Sequence, residues 1–296
     1  MRMMTHAQGR SPSPRRRILD WSSLRCHLLW IYDGAPQCRR GTFPLSAVIS
    51  AWLIRRGNVE AQIKDQACAA RSGQWMIAAP GTLTQRFSED ARILSLRFQA
   101  AWPTGESILA GRPLFVLDAR RFPRLERAAS ALQRLVQRHF PGTNLSLQAQ
   151  ESDFRLFLRL QQLFAGWMLV FSEALVKSGQ ELRDVGRVDQ RALNAAREID
   201  RFPLHAPFSS ADLASKAGVS PSQLDRLFVH EFNLTPRRYF ERRRLQHARF
   251  CLASRTIPIK ELAYQLGFRH AAHFSIWFHR WAGVSPRDFR RRPVPS

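Results

Sequence analysis

The sequence predicts an α+β protein, with a strand-rich N-terminal region carrying accessory helices and an all-α C-terminal region holding two helix-turn-helix motifs. Three observations lead there. Short apolar runs bounded by Gly and Pro fill residues 18–118. The apolar period becomes helical over 120–179. From residue 205 onward, a segment of about 50 residues occurs twice.

The strand-rich part comes first. Residues 47–54 form an apolar run before Arg55-Arg56-Gly57-Asn58, and 74–79 form another before Pro80-Gly81. Leu94, Leu96 and Phe98 alternate with Ser95, Arg97 and Gln99. That period of two suits a half-buried strand, and several such strands suggest a small sandwich or barrel. Helical spacing follows over 124–140 and 145–177, broken at Pro141-Gly142. The second helix has a broad apolar stripe that includes Phe154, Phe157, Leu158, Phe164 and Phe171. Such a stripe suits packing on the helix's own barrel, and equally a seam with a second copy of the chain. Residues 179–186 are polar and read as a linker. The domains expected are therefore 18–180 and 187–296, preceded by a basic arm over 1–17 that cannot bury a core. That arm reads either as an inert tail or as a contact to DNA or to another domain.

The repeat is the most specific signal. Ala211-Asp212-Leu213-Ala214 leads to Gly218, then to Leu224 and Phe228 and on to Pro236. Lys260-Glu261-Leu262-Ala263 leads to Gly267, then to Phe274 and Phe278 and on to Pro286. The offset is 49 residues as far as the glycines and 50 from Leu224 and Phe274 onward. Each copy has the makings of a helix-turn-helix. Asp212 and Glu261 suit the positive end of a helix dipole, and Ala214 and Ala263 permit a close helix crossing. Gly218 and Gly267 suit a turn of positive φ. Ser220 is a candidate N-cap with Pro221 at the first helical position. A basic helix over 236–253, about 27 Å long at ~1.5 Å per residue, joins the copies. Such a spacer can hold two recognition helices about one duplex turn, ~34 Å, apart.

Charge points the same way. Lys and Arg number 46 against 23 Asp and Glu, a net +23, which favours a polyanionic partner, nucleic acid before membrane. Residues 205–296 alone hold 16 basic and 6 acidic side chains. Other classes are disfavoured. Cys26, Cys38, Cys68 and Cys251 form no Cys-x-x-Cys pair, so no metal or disulfide framework is expected and a reducing cytoplasm fits. The apolar stretch 156–171 is interrupted by Arg159, Gln161 and Gln162 and is too short to span a bilayer. No secretory signal is visible.

These residues together resemble the DNA-binding domain of the AraC/XylS family of transcription regulators. The landmarks are Leu213-Ala214-x-x-x-Gly218-Val219-Ser220, Leu224-x-Arg226-Leu227-Phe228, Thr235-Pro236-x-x-Tyr239 and Arg244-Leu245-x-x-Ala248-x-x-x-Leu252. They continue in Ala263-x-x-x-Gly267-Phe268, Phe274-x-x-x-Phe278 and Gly283-Val284-Ser285-Pro286-x-x-Phe289-Arg290. The resemblance implies double-stranded promoter DNA and RNA polymerase as partners, a homodimer, and a small-molecule effector or none. It implies base or backbone contacts from Ser220, Ser222, Gln223, Asp225 and Arg226 in the first copy. In the second it implies them from His270, Ala271, Ala272, His273 and Ser275, with Arg243 on the joining helix touching phosphate. Arg suits guanine, Gln adenine and Asp a cytosine amine, although Asp225 can equally pair with a nearby Arg. Ile276 departs from the pattern, standing where the family commonly has Arg, so the second copy is expected to read fewer bases.

More loosely, Gly73-x-Trp75 and Pro80-Gly81 resemble the family's cupin-like β-barrel. Before residue 200 the histidines are His6, His27 and His139, too scattered for a cupin metal cluster, so neither metal nor cofactor is expected. Trp52, Trp75 and Phe98 line a pocket or are plain core. Two other readings stay open: a metal-free cupin enzyme with a DNA-binding appendage, and an architectural protein that coats DNA by charge alone.

Overall fold

The computed structural model describes residues 18–45, 47–141, 147, 150–183, 189–254 and 257–291. The expected arm over 1–17 lies outside them, as does the end of the expected linker. Helix α1 (Ile18–Trp21) is followed by nine strands among the described residues: β1 (Arg25–Gly34), β2 (Arg40–Leu45), β3 (Ile49–Arg56), β4 (Asn58–Ile63), β5 (Gln66–Arg71), β6 (Gln74–Ala78), β7 (Gly81–Phe87), β8 (Arg92–Ala101) and β9 (Leu114–Asp118). Two antiparallel sheets result, one ordered β1-β8-β3-β6-β9 and the other β2-β7-β4-β5. The cupin-like expectation thus takes the form of two facing sheets. Leu45, Trp52, Ile54, Val59, Ile63, Met76, Leu83 and Phe87 fill the space between them.

Helices α2 (Pro123–His139) and α3 (Phe154–Lys177) cover the other face of the five-stranded sheet. Leu125, Ala129, Leu132 and Val136 form the buried side of α2, at the spacing a helix requires. Phe98 on β8 is the hub. Trp167 meets it edge-on at 5.0 Å between ring centres, with Phe171 at 5.6 Å. Trp75 and Phe98 lie on this helix side and Trp52 lies between the sheets, all fully buried as core. The middle sheet therefore has no solvent face. β4 and β7 alternate as half-buried strands do, but Ser95 on β8, read from its alternation as solvent-facing, is 0% exposed. The alternation was real; a second sheet rather than water lies on its polar side. Helix α3 also begins later than its expected start at 145. Asp153 caps it, accepting from the Leu156 amide at 2.7 Å.

The C-terminal half is helical: α4 (Gln190–Arg201), α5 (Ser210–Lys216), α6 (Pro221–Phe232), α7 (Pro236–Ser254), α8 (Ile259–Gln265), α9 (Ala271–Ala282) and α10 (Pro286–Arg291). Helix α7 is shared by two small cores. Tyr239 and Phe240 on it close a core with α4, α5 and α6. Leu245, Ala248, Cys251 and Leu252, further along, close another with α8, α9 and α10. The halves are tied together in two places. The linker pairs with the loop after β8, the Ala110 amide donating to the Glu181 carbonyl at 3.0 Å and the Arg183 amide to Ile108 at 2.7 Å. Arg25 on β1 bridges to Asp200 on α4 and donates to the Tyr239 hydroxyl at 2.6 Å. Burial lifts the Asp200 carboxyl above its ordinary value, against the pull of Arg25, Arg243 and Arg242. Among the described residues no helix is long and apolar enough to cross a membrane.

Candidate nucleic-acid interface

In the first copy, Ser209 caps α5 by accepting from the Asp212 amide at 3.2 Å, and Leu213 and Ala214 face inward. Gly218 sits at φ +65°, and the chain turns there so that the Val219 amide reaches the Ala214 carbonyl. Ser220 then opens α6 with a full capping box. Its hydroxyl accepts from the Gln223 amide at 3.2 Å while the Gln223 side-chain oxygen accepts from the Ser220 amide at 3.0 Å. Leu224, Phe228 and Phe232 bury the inner side.

Ser220, Ser222, Gln223, Asp225 and Arg226 all lie exposed on the outer side of α6. Arg226 Nε leans on the Ser222 carbonyl at 3.4 Å, and among the described residues Asp225 makes no ion pair. Gln223 is the exception to the expected arrangement. Two-point reading of adenine needs its oxygen and its amide together, and the capping box already engages the oxygen. Replacing Gln223 by Ala should therefore lower stability by about 0.5–1 kcal/mol through the lost cap, with little loss of base discrimination. Thermal unfolding and competition binding on the same sample separate the two effects.

The second copy has the same architecture with different chemistry. Helices α5 and α8 are each seven residues long, and α6 and α9 are each twelve. Leu262, Ala263, Phe274 and Phe278 take the inner positions. His270 stands at the N-cap of helix α9 but its side chain makes no capping bond. The His270 and His273 rings stand perpendicular with centres 5.5 Å apart. Ala272 and His273 are exposed, whereas Ala271 and Ser275 are half-buried. The Ser275 hydroxyl donates to the Ala271 carbonyl at 2.9 Å, and Ile276 is 69% exposed on the outer side.

The arginines of α7 depart from expectation. A basic joining helix suggests a solvated charged face, yet Arg242, Arg243, Arg244 and Arg249 are all half-buried. Arg243 does not project as a free phosphate contact. It donates to the Ile199 carbonyl at 2.8 Å and to that of Phe202, closing the C-terminal end of α4, where a cation complements the helix dipole. Arg244 donates to the Leu266 carbonyl and lies 4.5 Å from the Phe268 ring centre and 5.2 Å from that of Trp277. Buried Glu241, which sequence reasoning missed, holds this seam. It pairs with Arg237 at 3.4 Å and Arg244 at 3.3 Å and accepts from Trp277 Nε1 at 2.8 Å. An acidic residue spaced for two arginines on one helix was the available signal. Burial lowers the Arg243 and Arg244 guanidinium groups from their ordinary value, though neither loses its charge near neutral pH. Arg290 donates to the Ile257 carbonyl at 2.6 Å. Positive charge still faces solvent at Lys216, Arg226, Arg238, Lys260, Arg269, Arg280 and Arg287.

Arg243→Ala is thus expected to act on stability. The Phe202 carbonyl loses its guanidinium donor and the Ile199 carbonyl keeps only the Phe202 amide, at a cost of about 1–3 kcal/mol, and DNA affinity should change little once the protein is folded. A lowered denaturation midpoint with an unchanged salt slope is the expected pair of results.

Comparison with known proteins places this architecture. A family model described as a helix-turn-helix domain matches residues 213–292. The transcriptional regulator GlxA of Rhizobium meliloti is 38% identical over 101 residues, 34% of this chain and 31% of GlxA. The transcriptional activator RhaS of Shigella boydii is 38% identical over 79 residues, 27% of this chain and 28% of RhaS. The arabinose operon regulatory protein of Salmonella typhimurium is 28% identical over 131 residues, 44% of this chain and 43% of that protein. The chain therefore spans less than half the length of these curated relatives. The crystal structure of an apo ToxT variant from Vibrio cholerae has a similar fold, with a TM-score of 0.51 at 13% identity over 92% of this chain and 98% of that one. Over residues 213–292 this chain carries a helix-turn-helix domain similar to those of these transcription regulators.

Proposed function

We propose that the whole protein is a sequence-specific transcription regulator that binds promoter DNA through α6 and α9. The observation that carries this reading is the in-register pair of helix-turn-helix units built on one shared helix, α7. Recognition helices so coupled suit successive major grooves on one side of a duplex. Ser222, Asp225 and Arg226 lead the first contact. His270, Ala272 and His273 lead a sparser second one, the alanine toward thymine methyl groups.

The rest of the assignment extends the same reading. The two-sheet half responds to a small effector, and the bound protein acts on RNA polymerase in the cytoplasm. It is a regulator rather than an enzyme and pairs as a homodimer through α3. Phe154, Leu158, Leu169 and Val176 share one side of that helix, and each is at least 38% exposed.

Selection from random duplexes with the full-length protein tests the central claim. A recovered motif bound ~10³–10⁷ times tighter than random DNA is expected. Equal binding to all duplexes would favour a coating protein and end the regulator reading.

A further inference from the structure

Helices α2 and α3 spend their inner sides on the five-stranded sheet, and between their outer sides runs a groove of about 1060 Å³ that is open to solvent. A site for a small molecule encloses most of its ligand, which this groove does not, so its shape suits an elongated occupant. From Phe154 to Val170 it follows α3 for about 24 Å at ~1.5 Å per residue. Its lining is apolar along the bottom and basic at both sides. Leu163 and Val170 are half-buried in it, while Phe154 and Leu158 stand at one end, 74% and 49% exposed. Arg124 and Arg127 line it from α2, and Arg155 and Arg159 from α3, all four exposed. Among the described residues no acidic side chain lines it. Arg124 reaches Glu173 at 3.4 Å, an exposed pair of small worth, and among the described residues Arg127, Arg155 and Arg159 make no ion pair.

Gly166 is a second sign of an occupant. It sits in the middle of α3, exposed in the groove, where a glycine weakens the helix that carries it. Apart from its chain neighbours and the backbone of its own helix, no atom of the described residues lies within 4 Å of where its Cβ would stand. Packing within the chain therefore does not require a glycine there. The missing side chain lets another backbone come close to α3.

Charge decides what that occupant is. Residues 1–17 and 142–149 contain no Asp or Glu, so neither segment of this chain answers the arginines. A second copy related by a two-fold axis would bring the same four arginines against these.

We infer that the groove between α2 and α3 docks an acidic amphipathic helix of another protein, about 16 residues long to match the groove. Its apolar side lies along Phe154, Leu158, Leu163 and Val170, and its backbone passes closest at Gly166. Its flanking carboxylates meet Arg124 and Arg127 on one side and Arg155 and Arg159 on the other, because a planar guanidinium matches a carboxylate in two-point geometry. Phe154 and Leu158 also belong to the side of α3 assigned to self-pairing, so the docked helix displaces the second copy. That displacement rests on the homodimer reading; the docking itself does not.

Fluorescence anisotropy on the full-length protein tests it with labelled synthetic peptides of about 16 residues. An acidic peptide carries leucines at i, i+3, i+4 and i+7 flanked by glutamates. A basic peptide has lysines in place of the glutamates. A dispersed peptide keeps the acidic composition with the leucines scattered, and so measures plain attraction to the basic C-terminal half. The acidic peptide should saturate with a Kd below ~100 μM, and the other two should bind at least ~10-fold more weakly. Gly166→Leu fills the groove without disturbing the chain's own packing. Its thermal midpoint should hold or rise while affinity for the acidic peptide falls at least ~10-fold. The joint variant Arg127→Glu with Arg159→Glu should lose the acidic peptide and take up the basic one. No saturation by the acidic peptide would overturn the inference, as would equal affinity for the dispersed peptide or an unchanged affinity in Gly166→Leu. Loss of self-pairing in Gly166→Leu, with no peptide bound by the parent chain, would give the groove to a second copy instead. Saturable binding of the acidic peptide that leaves the sedimentation coefficient unmoved would keep the docking and remove only the displacement.

Discussion

Gly267→Ala is expected to unfold the second helix-turn-helix, whereas Gly218→Ala should be tolerated. Both glycines end the first helix of their motif, at φ +65° for Gly218 and +78° for Gly267. Sequence spacing alone treats them as equivalent. Any L-residue there carries about 1 kcal/mol of left-handed strain, and for Gly218 that is the whole effect, because nothing lies within 4 Å of where a Cβ would stand. At Gly267 the added Cβ would sit 2.3 Å from the His205 carbonyl oxygen and 2.9 Å from its carbon. Those are backbone atoms of the loop between α4 and α5, so no side-chain rotation relieves the clash. The turn of the second copy must leave the first copy, and Arg244 must release the Leu266 carbonyl beside it. A loss of about 3–5 kcal/mol follows, against ~1 for Gly218→Ala. Urea denaturation of the two variants measures the difference. Equal midpoints would mean that the seam between the copies does not govern the stability of the second.

The seam explains what the sequence could and could not disclose. The two motifs were legible in the sequence, including the change of offset from 49 to 50, because turn glycines and most inner apolar positions are local properties of a few adjacent residues, although Trp281, which the spacing puts on the inner face, is 36% exposed. The direction of an arginine is not local. Arg243 and Arg244 sit in a run that any composition argument assigns to the surface. They face inward because α4 and the turn after α8 present carbonyls there, and only the assembled helices show it. The same holds for β8. Its alternation marks two sides, and Ser95 was assigned to water because nothing within the strand tells a facing sheet from solvent. Gln223 is intermediate. Ser220-x-x-Gln223 is a capping-box signature in the sequence itself, but an exposed Gln on a recognition helix invites the other reading first.

The charge that faces inward concentrates the burden of recognition on few side chains, and the largest effect on DNA binding is expected at Arg226. It is an exposed guanidinium on the outer side of α6, held only by a long contact to its own helix backbone, so a guanine edge can take it over without breaking the fold. Arg226→Ala should cost about 1–3 kcal/mol on the cognate site, roughly 5- to 150-fold in affinity, and relax selection at one base pair. On random duplexes the loss should be much smaller. Equal losses on both would make Arg226 a phosphate contact instead. Ile276 supplies the complementary test, since it occupies the corresponding outer position of α9 and is already 69% exposed. Ile276→Arg removes no buried contact, so stability should hold. A guanidinium there should tighten binding and steepen the dependence of log affinity on log salt by about one unit if it meets a phosphate. If it meets a base instead, a new preference should emerge in the half-site facing α9 while that slope stays the same. Arg226→Ala and Ile276→Arg together should shift recognition from the first motif toward the second, because α7 holds both helices on one body and neither variant touches the residues that fix it there.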